Sequence, residues 1–316
     1  MIFLIRPQTD PWFNLAAEEF LLKNRSEDLL MVWQNKSSVV VGKHQNVMAE
    51  VALDFVRKHN IPVIRRLSGG GTVFHDRGNL NLTVISTVNK GENLIDFRKF
   101  SQPVLEFLQQ LGLQAVFEGK NNLTLNGKKF SGNSAHVFKN RVLHHGTLLY
   151  QTDLDLLEKI IRQDSRHLTD RAVKSIRATV GNISDVMHPP LPMNRFLHQF
   201  VAFLKNYYAI ETVSELTRQE QEAIRQLAEN KYKTWEWNFG YSPPYSIQQQ
   251  CKTEYGIFNV SMQVSEGRIV SIELYFEGKK LEKVEQKLLH QKHDKATLSR
   301  LLAGNRFSET IIQTLF

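Results

Sequence analysis

A run of three glycines between two strand-like segments constrains this chain more than any other feature. Residues 62–84 read PVIRRLSGGGTVFHDRGNLNLTV, with Gly69, Gly70 and Gly71 near the centre. Glycines have no Cβ to hold a ligand away, so successive backbone N–H groups can converge on an anion. The two preceding arginines offer planar donors for phosphate or carboxylate. A flexible surface turn is the alternative, but the apolar flanks pin the loop and favour a binding loop.

The composition indicates a globular chain with an acidic partner. The 316 residues are 41% hydrophobic and 23% charged, enough for one large domain and one small one. The net charge of +8 predicts an acidic partner. The lysines and arginines are scattered along the chain, so we expect no nucleic acid, and a basic nucleic-acid-binding module is the non-enzyme alternative. No apolar run has the length of a membrane-spanning helix, so no membrane association is expected.

The single cysteine and the N-terminal residues predict a cytoplasmic protein. Cys251 has no partner for an internal disulfide, which fits a reducing compartment. The strand-like segment Met1–Ile5 is too short for the core of a signal peptide. The mitochondrial matrix is the alternative, since a processed chain would look the same. A monomer is expected.

Helix and strand patterns mixed along the chain predict an α+β fold. Asp10 and Pro11 are typical of a helix start, and apolar residues recur at helical spacing as far as Leu22. Asn126-Gly127 predicts a tight hairpin. Further helices are predicted at 51–59, 97–111, 154–161, 194–208 and 215–231, and strands at 1–5, 29–33, 38–41, 63–64, 80–85, 116–117, 123–125, 129–138 and 142–150.

An aromatic segment at 235–240, followed by Ser-Pro-Pro at 242–244, predicts a domain boundary. We therefore divide the chain into a catalytic domain, 1–243, and a small C-terminal accessory domain, 244–316. For the small domain the patterns predict two strands, at 258–264 and 268–276, and two short helices, at 281–290 and 296–303, that finish the chain.

A second informative cluster lies between Gly119 and Leu149. Lys129 stands in a predicted strand among small residues, where it could neutralise a phosphate and a developing oxyanion. A solvated strand lysine is the alternative. His144 and His145 are adjacent on a strand, so their rings point to opposite faces and cannot share one metal ion. We expect no metal site there and one histidine in a pocket.

Five motifs in one order resemble the lipoate-protein ligase family. They are DPWFNLAAEE, VVVGKHQN, RRLSGGGTVFHD, GKKFSGNSAHVFKNRVLHHGTLL and TWEWNFG, and the similarity covers residues 10 to 245. The resemblance implies the catalytic fold of biotin and lipoate protein ligases, a mixed β-sheet with flanking helices, plus a small α/β C-terminal domain. It also implies an enzyme that joins lipoate to ATP with Mg²⁺, giving lipoyl-AMP and pyrophosphate. The lipoyl group then passes to a lysine of a lipoyl domain, in 2-oxoacid dehydrogenase E2 subunits or the glycine-cleavage H protein.

The resemblance also implies roles for individual residues. Lys129 falls where the family's lysine contacts the lipoate carboxylate and the α-phosphate, so it is the candidate catalytic residue. Arg66 and 71–74 fall where the family binds nucleotide, and His75, Ser131 and His145 should surround the lipoyl pocket or the adenylate. Trp33 and Phe74 could line an apolar slot for the acyl chain. The full set of candidate binding residues is Arg66, Ser68, Gly70, Gly71, Thr72, Val73, Phe74, His75, Asn121, Lys129, Ser131 and His145.

Three other enzyme activities stay open beside ATP-dependent ligation. Asn122 stands where the family often has an aspartate, and an amide supplies no negative charge to Mg²⁺, so a lipoyltransferase that uses preformed lipoyl-nucleotide is one alternative. Octanoyl transfer needs a thiol in the pocket. Cys251 lies in the C-terminal part, where we expect an ordinary buried or half-buried residue. Biotin ligation is disfavoured because the loop lacks the glycine- and arginine-rich GRGRxG pattern.

Overall fold

Two compact units make up the protein, whose structure is a computed structural model describing residues 1–6, 8–89, 91, 93–161, 167–211 and 213–316. The first unit comprises residues 1–43, 53–161 and 175–233, and the second comprises 44–52, the described part of 162–174, and 234–316. Each unit combines segments that are distant in the sequence. The division into a catalytic domain, 1–243, and an accessory domain, 244–316, stays a prediction.

Short strands and helices follow one another through both units. The strands are β1 (Ile2–Arg6), β2 (Leu29–Trp33), β3 (Ser38–Val41), β4 (Val63–Arg65), β5 (Val73–His75), β6 (Asn79–Thr87), β7 (Val116–Glu118), β8 (Asn122–Leu125), β9 (Lys128–Phe138), β10 (Arg141–Leu149), β11 (Leu168–Asp170), β12 (Val213–Ser214), β13 (Tyr245–Thr253), β14 (Gly256–Ser265), β15 (Arg268–Phe276) and β16 (Lys279–Lys280). The α-helices are α1 (Pro11–Asn24), α2 (Val47–Glu50), α3 (Leu53–Lys58), α4 (Phe97–Gln110), α5 (Leu154–Ile160), α6 (Met193–Tyr207), α7 (Arg218–Leu227), α8 (Glu282–Leu288), α9 (Lys295–Leu301) and α10 (Ser308–Leu315). A 3₁₀ turn at Ser184–Val186 and π-helical segments at Ala228–Tyr232 and Glu236–Gly240 are also present.

An eight-stranded mixed sheet, in the order β12-β1-β2-β6-β10-β9-β8-β7, organises the first unit. Strand β1 is parallel to both of its neighbours, β12 and β2. All other neighbouring pairs, in the order β2-β6-β10-β9-β8-β7, are antiparallel. A separate three-stranded sheet, β4-β3-β5, carries the glycine loop between β4 and β5. The mixed sheet with its flanking helices confirms the predicted α+β fold class.

Helices α4 and α6 cover one face of the large sheet. The Phe107 ring lies 5.4 Å from that of Phe196 and 5.0 Å from that of Phe200, and Phe196 stacks on Tyr150 at 4.0 Å. Strand leucines such as Leu82 belong to the same buried core. Because successive strand residues point to opposite faces, the alternate residues of these strands face away from this core.

Helix α1 begins as predicted but buries more than apolar residues. The Asp10 side chain accepts a hydrogen bond from the backbone N–H of Trp12 at 3.0 Å, and Pro11 occupies the first turn. Glu18 and Glu19 are both 3% exposed. A carboxylate withdrawn from water in this way requires partners. Both glutamates have hydrogen-bond partners, and the partners of Glu18 belong to the site described below.

The predicted Asn126-Gly127 hairpin is confirmed and leads into an irregular strand. Asn126 and Gly127 have φ values of 49° and 74°, the left-handed pair that a two-residue hairpin loop requires. The ladder between β8 and β9 then shifts register, so that Lys129 pairs with Thr124 and Ser131 with Leu123. A bulge of this kind re-aims neighbouring side chains. It gives the start of β9 a geometry that regular alternation does not predict.

A five-stranded sheet, β11-β13-β14-β15-β16, forms the centre of the second unit. The two predicted strands correspond to β14 and β15, and the two predicted short helices to α8 and α9. Strand β13 was not predicted, because its run of glutamines hides the alternation. It was also wrong that the second short helix finishes the chain, since α10 follows at Ser308–Leu315.

Two predicted helices of the first 233 residues have different ends in the structure. The segment predicted as 51–59 is helical only over Leu53–Lys58, because Val51 is extended and closes the short helix α2. The segment predicted as 215–231 starts at Arg218, after a capping box at Thr217, and continues beyond Leu227 as a π-helix. Among the residues described, no helix combines the length and the hydropathy needed to cross a bilayer.

Candidate functional site

A row of polar side chains crosses the second face of the large sheet. His145 on β10 pairs with Ser134 on β9 and with Thr83 on β6, so the three side chains share a face. The Trp33 indole N–H donates to Thr83 Oγ1 at 2.9 Å, which places β2 on the same row. Ser134 Oγ donates to the carbonyl of Gly69 at 2.9 Å. The glycine loop therefore lies over this polar face, opposite the aromatic core.

The backbone at the end of β3 lies very close to the backbone of the glycine loop. Gly70 has φ +85°, a conformation that favours glycine. A Cβ on Gly42, at the end of β3, would lie 2.1 Å from the Gly70 carbonyl oxygen. No side chain larger than hydrogen fits at position 42 while the loop keeps this position. By contrast, a Cβ on Gly69 would meet nothing within 4 Å.

Arg66 holds the loop from inside. Its guanidinium donates to the carbonyl oxygens of Gly69 at 2.6 Å, Gly71 at 2.7 Å and Val40 at 3.1 Å, and to Ser68 Oγ at 3.0 Å. Burial lowers the pKa of Arg66 to about 10, so the group keeps its charge at neutral pH. The side chain points into the loop, and the contact with nucleotide that the resemblance implies stays a prediction.

A hydrogen-bonded chain links the loop to helix α1. Ser68 Oγ lies 2.6 Å from His145 Nε2, and His145 Nδ1 lies 3.0 Å from Glu18 Oε1. The same Glu18 oxygen accepts a hydrogen bond from the hydroxyl of Thr83 at 2.6 Å. All four side chains are buried. Together with Arg66, they join helix, sheet and loop in one polar network.

Lys129 lies beside this network. A Cβ built on Gly132, two residues before Ser134 on β9, would lie 3.1 Å from Lys129 Nζ, so the amine folds back over the face that carries the loop. Burial, followed by the charge of Arg66, lowers the pKa of Lys129. Within the described part of the chain, no hydrogen bond or ion pair is assigned to this amine. Lys128 is exposed and packs instead against Gly181.

The segment 175–181 closes over Lys129 and the loop. The backbone N–H of Lys129 donates to the carbonyl of Thr179 at 2.9 Å, and the N–H of Gly181 donates to the carbonyl of Lys129 at 3.1 Å. Ser175 Oγ accepts a hydrogen bond from the backbone N–H of Thr72 at 2.9 Å. This segment therefore fixes the lysine and the far side of the loop together.

The three histidines near the site have separate surroundings. His144 points to the aromatic core, where its ring stacks on Phe100 at 5.5 Å, whereas His145 joins the polar network, so the predicted opposite orientation is confirmed. His75 on β5 is 3% exposed, and its ring meets Trp33 edge-on at 5.9 Å. Burial, together with the charges of Arg66 and His145, lowers the pKa of His75 to about 3. His75 is therefore neutral at physiological pH.

The remaining predicted site residues lie around the loop and the start of β9. Thr72 and Val73 lead out of the loop at intermediate exposure, and Phe74 is buried in β5. The Asn121 carbonyl accepts hydrogen bonds from the backbone and the side-chain amide of Asn133, each at 2.9 Å. Ser131 is buried in β9, and its hydroxyl has no hydrogen-bond partner among the described residues.

Besides Ser134 and Gly42, which contact the glycine loop, four further residues of the site were not predicted from the sequence. Glu18, Asn35, Thr83 and Ser175 contact predicted residues or their partners, as the hydrogen bonds of the network show. A signal existed for Glu18, since an acidic residue on the apolar face of a predicted helix is unusual. For the other three, only the fold brings them to the site.

The fold and the site define a class of protein in which a glycine loop lies over the polar face of a mixed sheet. The lipoyl protein ligase A/B catalytic domain matches residues 10–205, and the bacterial lipoate protein ligase C-terminus matches 242–314. This chain belongs to the lipoyl protein ligase A/B family.

Relatives and solved structures agree with this assignment. Lipoate–protein ligase 1 of Staphylococcus aureus is 36% identical over 271 residues, covering 84% of this chain and 81% of that protein. A bipartite lipoate protein ligase of Thermoplasma acidophilum, studied with its E2 lipoyl domain, is 25% identical, with a TM-score of 0.65 over 76% of this chain and 96% of that one. Lipoate-protein ligase A bound with ATP is likewise 25% identical, with a TM-score of 0.65 over 76% of this chain and 98% of that one.

Proposed function

We propose that this protein is an ATP-dependent lipoate-protein ligase. It activates lipoate as lipoyl-AMP, releases pyrophosphate and transfers the lipoyl group to a lysine of a lipoyl domain. The observation that carries the proposal is the half-buried Lys129 amine on the face covered by the glycine loop, near the Arg66 guanidinium. The family and the ATP-bound structure of a relative support the same activity.

The chemistry requires two anions to approach each other. The lipoate carboxylate attacks the α-phosphate, and pyrophosphate leaves. Lys129 can contact the carboxylate and the α-phosphate together, which offsets their repulsion and orients the attacking oxygen. The backbone N–H groups of residues 69–71 can receive phosphate oxygens, in the manner of a glycine-rich anion site, whereas that of Thr72 already donates to Ser175 Oγ. Arg66 keeps the loop in the shape that this requires.

Mg²⁺ is the expected companion of ATP in this reaction. Asn122 pairs with Gly132, beside the Lys129 amine, and offers an amide oxygen in place of a carboxylate. Mg²⁺ commonly takes few protein ligands and binds mainly to phosphate oxygens and water, so a neutral oxygen donor here fits it. The ion would neutralise part of the charge of the triphosphate.

The second half-reaction needs no nucleophile from the enzyme. The acceptor lysine attacks the carbonyl of lipoyl-AMP, and AMP leaves with the electron pair of the broken bond. Cys251 lies half-buried in β13 of the second unit, and we assign it no catalytic role. A Cys251→Ser variant that keeps full transfer activity supports this assignment, and one that loses all transfer supports the thioester mechanism of an octanoyltransferase.

We further propose the surroundings in which this activity operates. The acceptors are the lipoyl domains of 2-oxoacid dehydrogenase E2 subunits and the glycine-cleavage H protein, and the +8 charge favours acidic domains. The T. acidophilum relative was studied with an E2 lipoyl domain, which supports the first class. The enzyme acts as a cytoplasmic monomer, with residues 1–243 catalysing the reaction and 244–316 as an accessory domain.

The direct test is the mass of an acceptor lipoyl domain after incubation with the protein, ATP, Mg²⁺ and lipoate. The proposal predicts the mass of one lipoyl group on the domain and release of pyrophosphate. An unchanged mass, both here and with added lipoyl-AMP, would refute the function.

A lipoyltransferase that only uses preformed lipoyl-AMP is the second candidate, because Asn122 supplies no charge to Mg²⁺. Modification of the acceptor domain from lipoyl-AMP, but not from ATP and lipoate, identifies that activity. Replacing Asn122 by aspartate should then introduce or strengthen the ATP-dependent reaction.

A further inference from the structure

His75 has a buried ring nitrogen with no partner in the part of the chain that the structure describes. The residue is 3% exposed, and its Nε2 atom has no hydrogen-bond partner among the described residues. An unpartnered polar atom in such a position costs free energy unless a ligand or water satisfies it. Its identity as donor or acceptor depends on which ring nitrogen carries the proton.

Two asparagines determine that proton's position. The side-chain amide of Asn14 donates to the carbonyl of Gln34 at 2.9 Å, which identifies that atom as nitrogen. The same amide contacts Asn35 Oδ1 at 2.9 Å, so the other end of Asn35 must be its NH₂ group. That group lies 3.0 Å from His75 Nδ1, which therefore accepts. A neutral His75 then carries its proton on Nε2 and presents a fixed donor.

The polar face of the large sheet carries the Lys129 amine near one end and Trp33, the neighbour of His75, near the other. The Lys129 amine lies over Gly132 on β9, and Trp33, the neighbour of His75, lies on β2. Between β9 and β2 lie β10 and β6, so three strand spacings, about 14 Å, separate the two ends. An extended eight-carbon acid with a terminal ring spans most of this width. With its carboxylate at Lys129, such an acid would direct its far end toward Trp33 and His75.

We propose that His75 recognises the dithiolane ring of lipoate and that Asn35 is the residue that positions its donor. This inference rests on the proposed ligase function. A sulfur atom is a weak hydrogen-bond acceptor and packs well against an aromatic edge, such as that of Trp33. Octanoate ends in a methyl group and leaves the Nε2–H unpaired. The pair His75 and Asn35 therefore favours lipoate over octanoate.

The first test reads the tautomer directly in the whole protein. Nitrogen NMR of ¹⁵N-histidine-labelled protein should show His75 neutral and protonated on Nε2 between about pH 5 and about pH 8. Adding lipoate should shift the Nε2–H signal, and adding octanoate should leave it nearly unchanged. Protonation on Nδ1, or equal shifts with both acids, would overturn the inference.

The second test compares kcat/KM for lipoate and octanoate in matched variants. His75→Gln can place an amide nitrogen where Nε2 lies and should keep the preference, whereas His75→Asn reaches only the Nδ1 position and should lose about five- to tenfold with lipoate alone. Asn35→Leu should also lose the preference for lipoate over octanoate. Adding His75→Gln to the Asn35→Leu variant should restore that preference, because glutamine has no tautomer to fix. His59→Gln, an exposed histidine on the surface, is the control.

The outcomes separate this inference from the proposed function. If the unaltered protein modifies an acceptor domain but the His75 and Asn35 variants lose lipoate and octanoate activity equally, the role of His75 in recognition is wrong and the ligase function stands. If the unaltered protein neither binds lipoate nor modifies the domain, both are wrong. A selective loss with lipoate, reversed in the double variant, supports both.

Discussion

Two cationic side chains lie close together in the site, and only one of them has assigned hydrogen-bond acceptors among the described residues. Arg66 donates to three carbonyl oxygens and a hydroxyl, so its charge is solvated by the loop. No acceptor is assigned to the Lys129 amine among the described residues, and its pKa is lowered by burial and by Arg66. An anion beside Lys129 would relieve both effects. We therefore expect Lys129 to bind a carboxylate or a phosphate.

The pKa of Lys129 predicts an alkaline limit to activation. The reaction needs the charged amine, which is present below the pKa and is lost as the pH rises through it. Because that pKa lies below the ordinary value of 10.5, kcat/KM for lipoate-dependent ATP–pyrophosphate exchange should fall at a pH below 10.5. A Lys128→Ala variant should show the same profile. A profile that stays flat up to 10.5 would contradict the assignment of Lys129.

At the scale of elements, the glycine loop depends on β3 as much as on its own glycines. The end of β3 supplies Gly42, whose missing side chain admits the Gly70 carbonyl, and Val40, whose carbonyl binds Arg66. The loop is therefore a pinned structure, as its apolar flanks predict. Its shape is set by a strand about 25 residues upstream, which no local pattern reveals.

Gly42→Ala should displace the loop and weaken nucleotide binding. Its Cβ would lie 2.1 Å from the Gly70 oxygen, a contact that backbone movement alone can relieve. We expect KM for ATP to rise by about tenfold or more, since a small misplacement of a binding loop is costly. Gly69→Ala is the matched control, because its Cβ would meet nothing within 4 Å. Equal KM values for the two variants would show that the approach of Gly42 is unimportant.

A buried ionic cluster ties helix α1 to the π-helical segment after α7. Glu19 accepts hydrogen bonds from Lys23 at 2.6 Å, Lys231 at 2.7 Å and Tyr232 at 2.8 Å. Burial alone would raise the pKa of Glu19, but the two lysines outweigh it and lower the pKa below 4.5. The cluster thus holds the helix that carries Glu18, the partner of His145.

Glu19→Gln should destabilise the protein at neutral pH. The folded-state pKa of Glu19 is depressed, so its contribution is present above the unfolded-state pKa and is lost as the pH falls through the folded-state value. Urea unfolding should show a loss of about 1–3 kcal/mol at about pH 7, shrinking below about pH 4. The exposed Glu222→Gln, which removes a surface pair with Arg225, should change stability little. A loss that is independent of pH would argue against the ionic origin.

Local patterns predicted the elements better than the contacts between them. The start of α1, the Asn126-Gly127 hairpin and the opposite orientation of His144 and His145 follow from short-range rules, and the structure has them. The contact of Glu18 with His145 joins residues 127 positions apart, and no spacing rule encodes it. The bulge near Lys129 likewise depends on the partner strand. The candidate site residues were chosen by motif resemblance, whereas the hydrogen bonds between them depend on the fold.

At the scale of the whole molecule, charge and fold serve different steps. We expect the net charge of +8 to act over a distance on an acidic acceptor domain, and the buried network to act only on ligands that enter the site. Activation should therefore respond to changes in the network, and encounter with the acceptor should respond to ionic strength.

The charge of the protein predicts a salt-dependent transfer step. Raising the ionic strength from about 0.05 M to about 0.3 M shortens the screening length, so KM for an acidic lipoyl domain should rise severalfold while kcat changes little. Steady-state transfer from lipoyl-AMP at several salt concentrations measures this directly. A KM that does not depend on salt would show that surface charge has no part in acceptor recognition.

Lipoate-dependent ATP–pyrophosphate exchange isolates activation from transfer, and it tests most directly the claim that Lys129 and the glycine loop form one activating site. We expect exchange in the unaltered protein, a loss of about 100-fold or more in Lys129→Ala with the fold retained, and near-normal exchange in Lys128→Ala. Near-normal exchange in Lys129→Ala would contradict that claim.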